Sequence, residues 1–389
     1  MRVTGLLLSA AVVATLAVVP SAGSAVADNT DRPCRDAPAV PVRTGAVFND
    51  PVGGDPTAIV RQICTLVQQA PAGSRIRIAH FVVSGDAGAD FATELIAAKR
   101  RGVDVQLVLD GWQDDTPAAE SLRAELGTDE SRASWLHVCS RVSPEGNTSS
   151  CIGTKGQHNK FYLFSRTGGA SDVVVQSSAN FTDLNSRTYW NNATTLVGNK
   201  KLYRAYNEYF EDLAAERATD DYYRTVSSGM EGGMVRAYFF PRAEGDHVTE
   251  ILDKVDCRGG TKIQIGMSEI DAYRIGIVRR LVELSGQGCV VRVVHGLVDQ
   301  VVLDTLAADP TIEVRALESS DELPGRIHSK YFLIDGRYDG KPGRWVFTGS
   351  PNWNHTSLRR NDEAMIQTNI RVVHDAYSAN FEHMFASAV

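Results

Sequence analysis

The chain has 389 residues, 43% of them hydrophobic and 22% charged, with a formal net charge of −7. That length accommodates two packed domains or two fused halves. The acidic balance excludes a protein that coats nucleic acid through bulk charge, while leaving room for a local basic groove.

The first segment reads as a targeting signal. Arg2 supplies a positive end, residues 6–19 form an apolar run too short to span a bilayer comfortably, and Ala25-Val26-Ala27 offers a small-residue cleavage site. Residues 1–27 are therefore expected to be a signal peptide and the mature chain to be secreted. All six cysteines, Cys34, Cys64, Cys139, Cys151, Cys257 and Cys289, lie beyond it. An even count in an exported chain implies three disulfides, and sequential pairing is the simplest arrangement. Cys139–Cys151 would then close a loop just before the first motif described below. The competing zinc reading has no C-x-x-C or Cys/His cluster behind it.

Downstream, one pattern occurs twice, over 28–225 and 226–389. An aromatic strand breaking at proline, Ala46-Val47-Phe48-Asn49-Asp50-Pro51 and later Ala237-Tyr238-Phe239-Phe240-Pro241, leads into an amphipathic helix at 58–69 and at 247–255. A β-rich run follows at 75–80 and 262–267, then a second helix at about 90–101 and 273–284, then another apolar strand at 103–109 and 290–294. Trp112 opens a polar loop before the strand Ser134-Trp135-Leu136. Near-continuous β-branched runs alternating with helices predict βαβ units with strands buried on both faces. The expected fold class is α/β: two homologous α/β sandwich halves, each a mostly parallel sheet flanked by helices. A pseudo-twofold axis between them would bring equivalent loops together.

The chemistry sits in two further strands. His158-Asn159-Lys160 starts one and is followed by the turn Ser177-Ser178-Ala179-Asn180-Phe181; His328-Ser329-Lys330 starts the other and is followed by Gly349-Ser350-Pro351-Asn352-Trp353. A lone His-x-Lys is ordinarily surface decoration, but two copies in matching contexts make a site that needs both. At the strand ends of an α/β sheet such residues converge on a crevice. Two imidazoles, two ammonium groups and two amides suit a phosphodiester. Lys160 and Lys330 neutralise non-bridging oxygens, and Asn180 and Asn352 donate hydrogen bonds as charge builds on them. One histidine attacks phosphorus; the other protonates the leaving alcohol and later activates water. The two lysines do the charge work of a cation, so neither a metal nor another cofactor is required.

This paired motif resembles the phospholipase D superfamily, whose signature is His-x-Lys-x4-Asp followed by Gly/Ser-Gly/Ser-x-Asn. The resemblance spans both halves and implies a metal-free, ping-pong reaction through a covalent phosphohistidine. Position by position, His158, Lys160 and Asn180 match the first signature, and His328, Lys330, Asp335 and Asn352 the second. Ser178 and Ser350, in the turns presenting the asparagines, count with the substrate-binding residues. Family order makes His158 the nucleophile and His328 the acid/base. The copies differ: Ser165 stands where the second copy has Asp335, and Asn191 where it has Glu363. Glu363, with Asp362 as second choice, is expected to orient an imidazole and stabilise its protonated form, which suits the general acid. Asn191 can fix a tautomer without adding charge, which a neutral nucleophile tolerates. The family's tyrosyl-DNA phosphodiesterase branch likewise replaces its motif aspartates and backs one histidine with an amide.

The leading expectation is a secreted phospholipase D, hydrolysing or transferring phospholipid head groups at a membrane or micelle surface, as a monomer without an obligate protein partner. A secreted nuclease of the same superfamily, with nucleic acid as substrate, is the alternative. A weakened homologue that only binds phosphate ligands is the third reading. His80 and His295 are expected in the core, and Phe181 and Trp353 beneath the crevice.

Overall fold

The computed structural model describes residues 32–35, 37–317 and 325–389; the expected signal peptide at 1–27 lies outside them. The first sheet contains β1 (Gly45–Asn49), β2 (Arg75–His80), β3 (Asp104–Leu109), β4 (Trp135–Val138), β5 (Lys160–Thr167), β6 (Ala170–Ser177) and β7 (Tyr189–Leu196), in the order β1-β7-β6-β5-β2-β3-β4. The chain then crosses to a second sheet between Ala214 and Arg224. That sheet begins with β8 (Arg224–Met230) at one edge. It continues with β9 (Gly233–Phe240), β10 (Lys262–Ile270), β11 (Val290–Val298), β12 (Glu313–Ala316), β13 (Lys330–Tyr338), β14 (Lys341–Gly349) and β15 (Glu363–Thr368). Its order, β8-β9-β15-β14-β13-β10-β11-β12, repeats the first sheet strand for strand after β8.

The expected parallel pairing holds for β2-β3-β4 and β10-β11-β12, where helices supply the crossovers. The motif strands join the sheet antiparallel, because short hairpins connect them to the strands that follow. Gly168-Gly169 and Asp339-Gly340 carry the positive φ values that such tight turns need.

Each motif strand is apolar on both faces because it separates two cores. Phe161 and Leu163 of β5, with Tyr331 and Leu333 of β13, enter a core common to both halves. Tyr162 and Phe164 face a core private to the first half, and Phe332 and Ile334 one private to the second. The helix Lys200–Ala214 adds Tyr206, Tyr209 and Phe210 to the common core, and Arg371–Ser387 adds Tyr377, Phe381 and Met384. Burying each such side chain contributes about 1.5–3 kcal/mol, so the two motifs are held by one apolar mass.

The disulfides are Cys34–Cys64, Cys139–Cys151 and Cys257–Cys289, the sequential pairing expected. With all six cysteines in disulfides, none is free to serve as a thiolate ligand. The polar loop expected after Asp110 is instead a 3-10 turn, Gly111–Gln113, and a helix, Pro117–Leu126. Thr116 caps that helix and proline starts it. Its buried stripe is only Ala118, Ala119, Leu122 and Leu126, an apolar period too weak to stand out. Trp112 itself is 58% exposed.

Candidate active site

His158 and His328 lie immediately before β5 and β13, and each is hung on the opposite half. The His158 amide donates to the Asp362 carbonyl at 3.0 Å, and the His328 amide to the Trp190 carbonyl at 2.8 Å. The next residue on each supporting strand then takes the imidazole. His158 Nδ1 meets Glu363 Oε1 at 2.8 Å and Oε2 at 3.0 Å, while His328 Nδ1 meets Asn191 Oδ1 at 3.0 Å. The orienting groups are therefore exchanged between halves. Glu363 was expected on the acid, assigned as His328, but it holds the histidine assigned to attack; the amide of Asn191 holds the other. In both rings Nδ1 is engaged, which leaves Nε2 as the nitrogen available for chemistry.

The lysines begin the strands, buried at 0% and 1% exposure. Each Nζ donates to the carbonyl of its own motif histidine at 2.7 Å, so the ammonium head is aimed back along the chain toward the imidazole. Lys160 also lies 4.9 Å from the Phe81 ring centroid, and that ring makes an edge contact with His158 at 4.8 Å. The asparagines complete the set. Their backbone amides are fixed by Asn185 Oδ1 at 2.8 Å for Asn180 and by Ser357 Oγ at 3.2 Å for Asn352. Their side-chain carbonyls are buried without a hydrogen-bond partner among the described residues.

Two sequence-based expectations are corrected. Asp335 is not in the site: five residues along a strand at about 3.3 Å each puts it about 16 Å from Lys330. There it is 42% exposed and pairs loosely with Arg344 at 3.8 Å. Ser165 occupies the equivalent place and accepts from the Arg75 amide at 2.8 Å, so the missing aspartate removes no active-site charge. Ser178 and Ser350 are fully buried and spent on the protein. Ser178 Oγ bonds Asn191 Oδ1 at 3.0 Å and takes the Asn192 amide at 3.0 Å; Ser350 Oγ takes the Ala364 amide at 3.2 Å. They secure the strands that carry the orienting groups and do not reach substrate.

Other contributions had no distinct signal in the sequence. Asn361 Nδ2 donates to Glu363 Oε1 at 3.0 Å. Asn192 Oδ1 accepts from the Lys330 amide at 3.2 Å. Phe81 was hidden at the end of an apolar strand. Phe181 and Trp353 are buried in the cores private to the first and second halves, with Phe181 stacked on buried His80 at 5.0 Å. His295 is also buried, its Nδ1 bonded to the Gly296 carbonyl at 2.8 Å.

The electrostatics are asymmetric. Burial pushes His328 well below the usual imidazole range, and Lys330, Lys160, His158 and Arg326 push it the same way. Burial also lowers His158, but Glu363 opposes the fall. Glu363 is itself held below the ordinary carboxylate value by His158 and Lys160, against the effect of its burial. Burial lowers Lys330 to about 7. The mutual charge effects among these groups place both histidines and both lysines in one crevice.

A pH dependence follows for a reaction that needs neutral His158 and protonated His328. Neutral His158 predominates above its pKa and protonated His328 below its own, and both lie under 6.5. His328 is the lower of the two, so the reactive pair is a minority form. The kcat/KM value should rise with pH up to the His328 pKa, stay level to the His158 pKa and fall above it, leaving the optimum on the acid side of 6.5. Asn191→Asp should raise that level, because a carboxylate at Nδ1 favours the imidazolium and enlarges the reactive form. A kcat/KM profile of both proteins tests this; an unchanged level would mean that His328 is not the acid.

The family described as cardiolipin synthase, PLD-like domain, matches the chain twice, over 63–214 and 258–385. A search of curated proteins finds no match. Among solved structures, phosphatidylserine synthase from Haemophilus influenzae Rd KW20 is similar at 13% identity and TM-score 0.62, covering 92% of this chain and 90% of that one. Polyphosphate kinase from Porphyromonas gingivalis is similar at 14% identity and TM-score 0.58, covering 88% of this chain. This chain spans half the length of that kinase. At such identities these likenesses speak to the fold. The two family matches fall on the two halves that carry the paired His-x-Lys crevice, and the chain belongs to the phospholipase D superfamily of phosphodiesterases and phosphotransferases.

Proposed function

We propose that the protein is a secreted phospholipase D that cleaves the head-group phosphodiester of phospholipids through a phosphohistidine, passing the phosphatidyl group to water or to an alcohol. The observation that carries this reading is the pair of imidazoles, each fixed at Nδ1 by the opposite half, in a crevice with two buried lysines.

The His158 Nε2 lone pair attacks phosphorus, and the bond from phosphorus to the head-group oxygen breaks. That oxygen takes a proton from His328 Nε2 and leaves as the alcohol. Water then enters, gives a proton to His328 Nε2 and attacks phosphorus; the P–N bond breaks and its electron pair returns to His158. Glu363 suits the attacking histidine on physical grounds. It keeps the proton on Nδ1, so Nε2 is nucleophilic, and it balances the positive charge the ring acquires as the P–N bond forms. Lys160, Lys330, Asn180 and Asn352 receive the non-bridging oxygens, so the reaction proceeds without a metal.

A lipid substrate is supported by the family description and by the acidic balance of the chain, which disfavours a polyanion. The apolar run at residues 6–19 and three disulfides support export. An activity screen after chelator treatment tests the reading, using phosphatidylcholine, other head groups, DNA and RNA. Release of head group from lipid, unaffected by chelator, is expected. Cleavage of nucleic acid alone would replace the substrate, and activity recovered only with a divalent ion would overturn the metal-free mechanism.

A further inference from the structure

The two histidines are not supported alike, and the difference lies in the carboxylates that hold the approach to His158. Residues 149–157, which deliver His158, are gripped by two buried carboxylates that the mechanism above does not use. Asp362 accepts the amides of Cys151 at 2.8 Å, Ile152 at 3.1 Å and Gly153 at 2.6 Å. Asp110 accepts those of Ser149 at 3.1 Å, Gln157 at 2.9 Å and Trp112 at 2.8 Å. Backbone bonds add to the grip, with the Asp362 amide on Gly156 O at 2.9 Å and its carbonyl on the His158 amide. The Cys139–Cys151 disulfide anchors the same segment. Gln157 passes the restraint on: its Oε1 takes the Asn159 amide at 2.7 Å, and its Nε2 reaches the carbonyls of His80 and Val108.

Among the described residues the twofold-related positions carry no carboxylate, and what recurs is the backbone bond of the His328 amide to the Trp190 carbonyl. Trp190 stands in the place of Asp362, Ile327 in that of Gln157 and, by register, Gly296 in that of Asp110. Both aspartates are fully buried. Six amide donors on two carboxylates is an arrangement for fixing a loop in place, and its target is the residue that must present Nε2 in line with a phosphorus–oxygen bond.

We infer that Asp362 and Asp110 are positioning residues for His158, forming a half-specific cradle that prepares this histidine, and not His328, for in-line attack. The inference rests on the phosphohistidine reading. An amide at position 362 would turn an acceptor into a donor facing Cys151 and Ile152, loosening the loop while keeping its volume.

The test uses bis(p-nitrophenyl) phosphate, whose leaving group needs little protonation, so that formation reports attack alone. Rapid-quench measurement separates phosphoenzyme formation from its breakdown. Asp362→Asn should slow formation by about 10- to 100-fold, the scale on which misplacing an oriented reactant acts. Breakdown, in which the phosphoryl group is already tethered and His328 activates water, should change by less than about threefold. Asp110→Asn, which leaves the Asp362 grip intact, should slow the same step by a smaller factor and serves if the first variant does not fold. Equal slowing of both steps, or unchanged formation in folded variants, overturns the inference. Failure of the wild-type protein to form a phosphoenzyme would strike the underlying reading instead.

Discussion

Glu363→Gln is expected to slow phosphoenzyme formation by about 100-fold, equivalent to about 2.7 kcal/mol of transition-state stabilisation. The glutamine carbonyl can still accept from His158 Nδ1, so the tautomer is retained. What disappears is the negative charge, in a buried site where no solvent replaces it and where positive charge grows on the ring. Burial pushes Lys160 well below the ordinary ammonium range and Glu363 is the chief opposing charge, so Lys160 loses support for its ammonium form at the same time and substrate affinity should fall as well. Asn191→Ala removes a neutral partner from His328 and should cost about tenfold, concentrated in substrates whose leaving alcohol needs a proton. Single-turnover measurements with aryl and alkyl diesters separate the two effects. A larger defect for Asn191→Ala on aryl substrates would mean that the amide-backed histidine is the one that attacks.

The histidines themselves should separate by leaving group. His158→Ala is expected to form no phosphoenzyme with any diester, with kcat/KM reduced by about 10⁴-fold or more, because the covalent route is gone. His328→Ala should still be phosphorylated by bis(p-nitrophenyl) phosphate, since p-nitrophenolate departs without a proton. The phosphoenzyme should then accumulate, because the base that activates water is missing. With an alkyl leaving group the same variant should lose about 10²- to 10⁴-fold in formation. Label in His158→Ala and none in His328→Ala would reverse the roles.

Much of this architecture is legible in the sequence because it is local or repeated. The paired His-x-Lys strands, the Asn turns, the βαβ runs and the nearest-neighbour disulfides all depend on residues close in the chain. The partners of the histidines do not. Spacing alone attaches Glu363 to its own half, whereas the bonded pair His158–Glu363 is 205 residues apart. The pairing is dictated by the short parallel bridges Gln157–Asp362 and Ile327–Trp190, which form only when the halves dock. Asp335 misled for the opposite reason. Its place in the motif is a matter of sequence, but the extended geometry of β13 carries it away from Lys330 as surely as it does Ser165 from Lys160. Asp362 was ranked below Glu363 as an imidazole partner, and its actual partners, three successive backbone amides, carry no side-chain signature.

The most direct measurement is the location of the phosphoryl group. His328→Ala would be quenched during turnover of bis(p-nitrophenyl) phosphate, digested under conditions that preserve phosphoramidates, and mapped by mass spectrometry. The phosphoryl group is predicted on His158, with the Glu363→Gln double variant giving the same peptide more slowly. A phosphoryl group on any other residue, or none in a protein that still releases p-nitrophenol, would contradict the double-displacement mechanism.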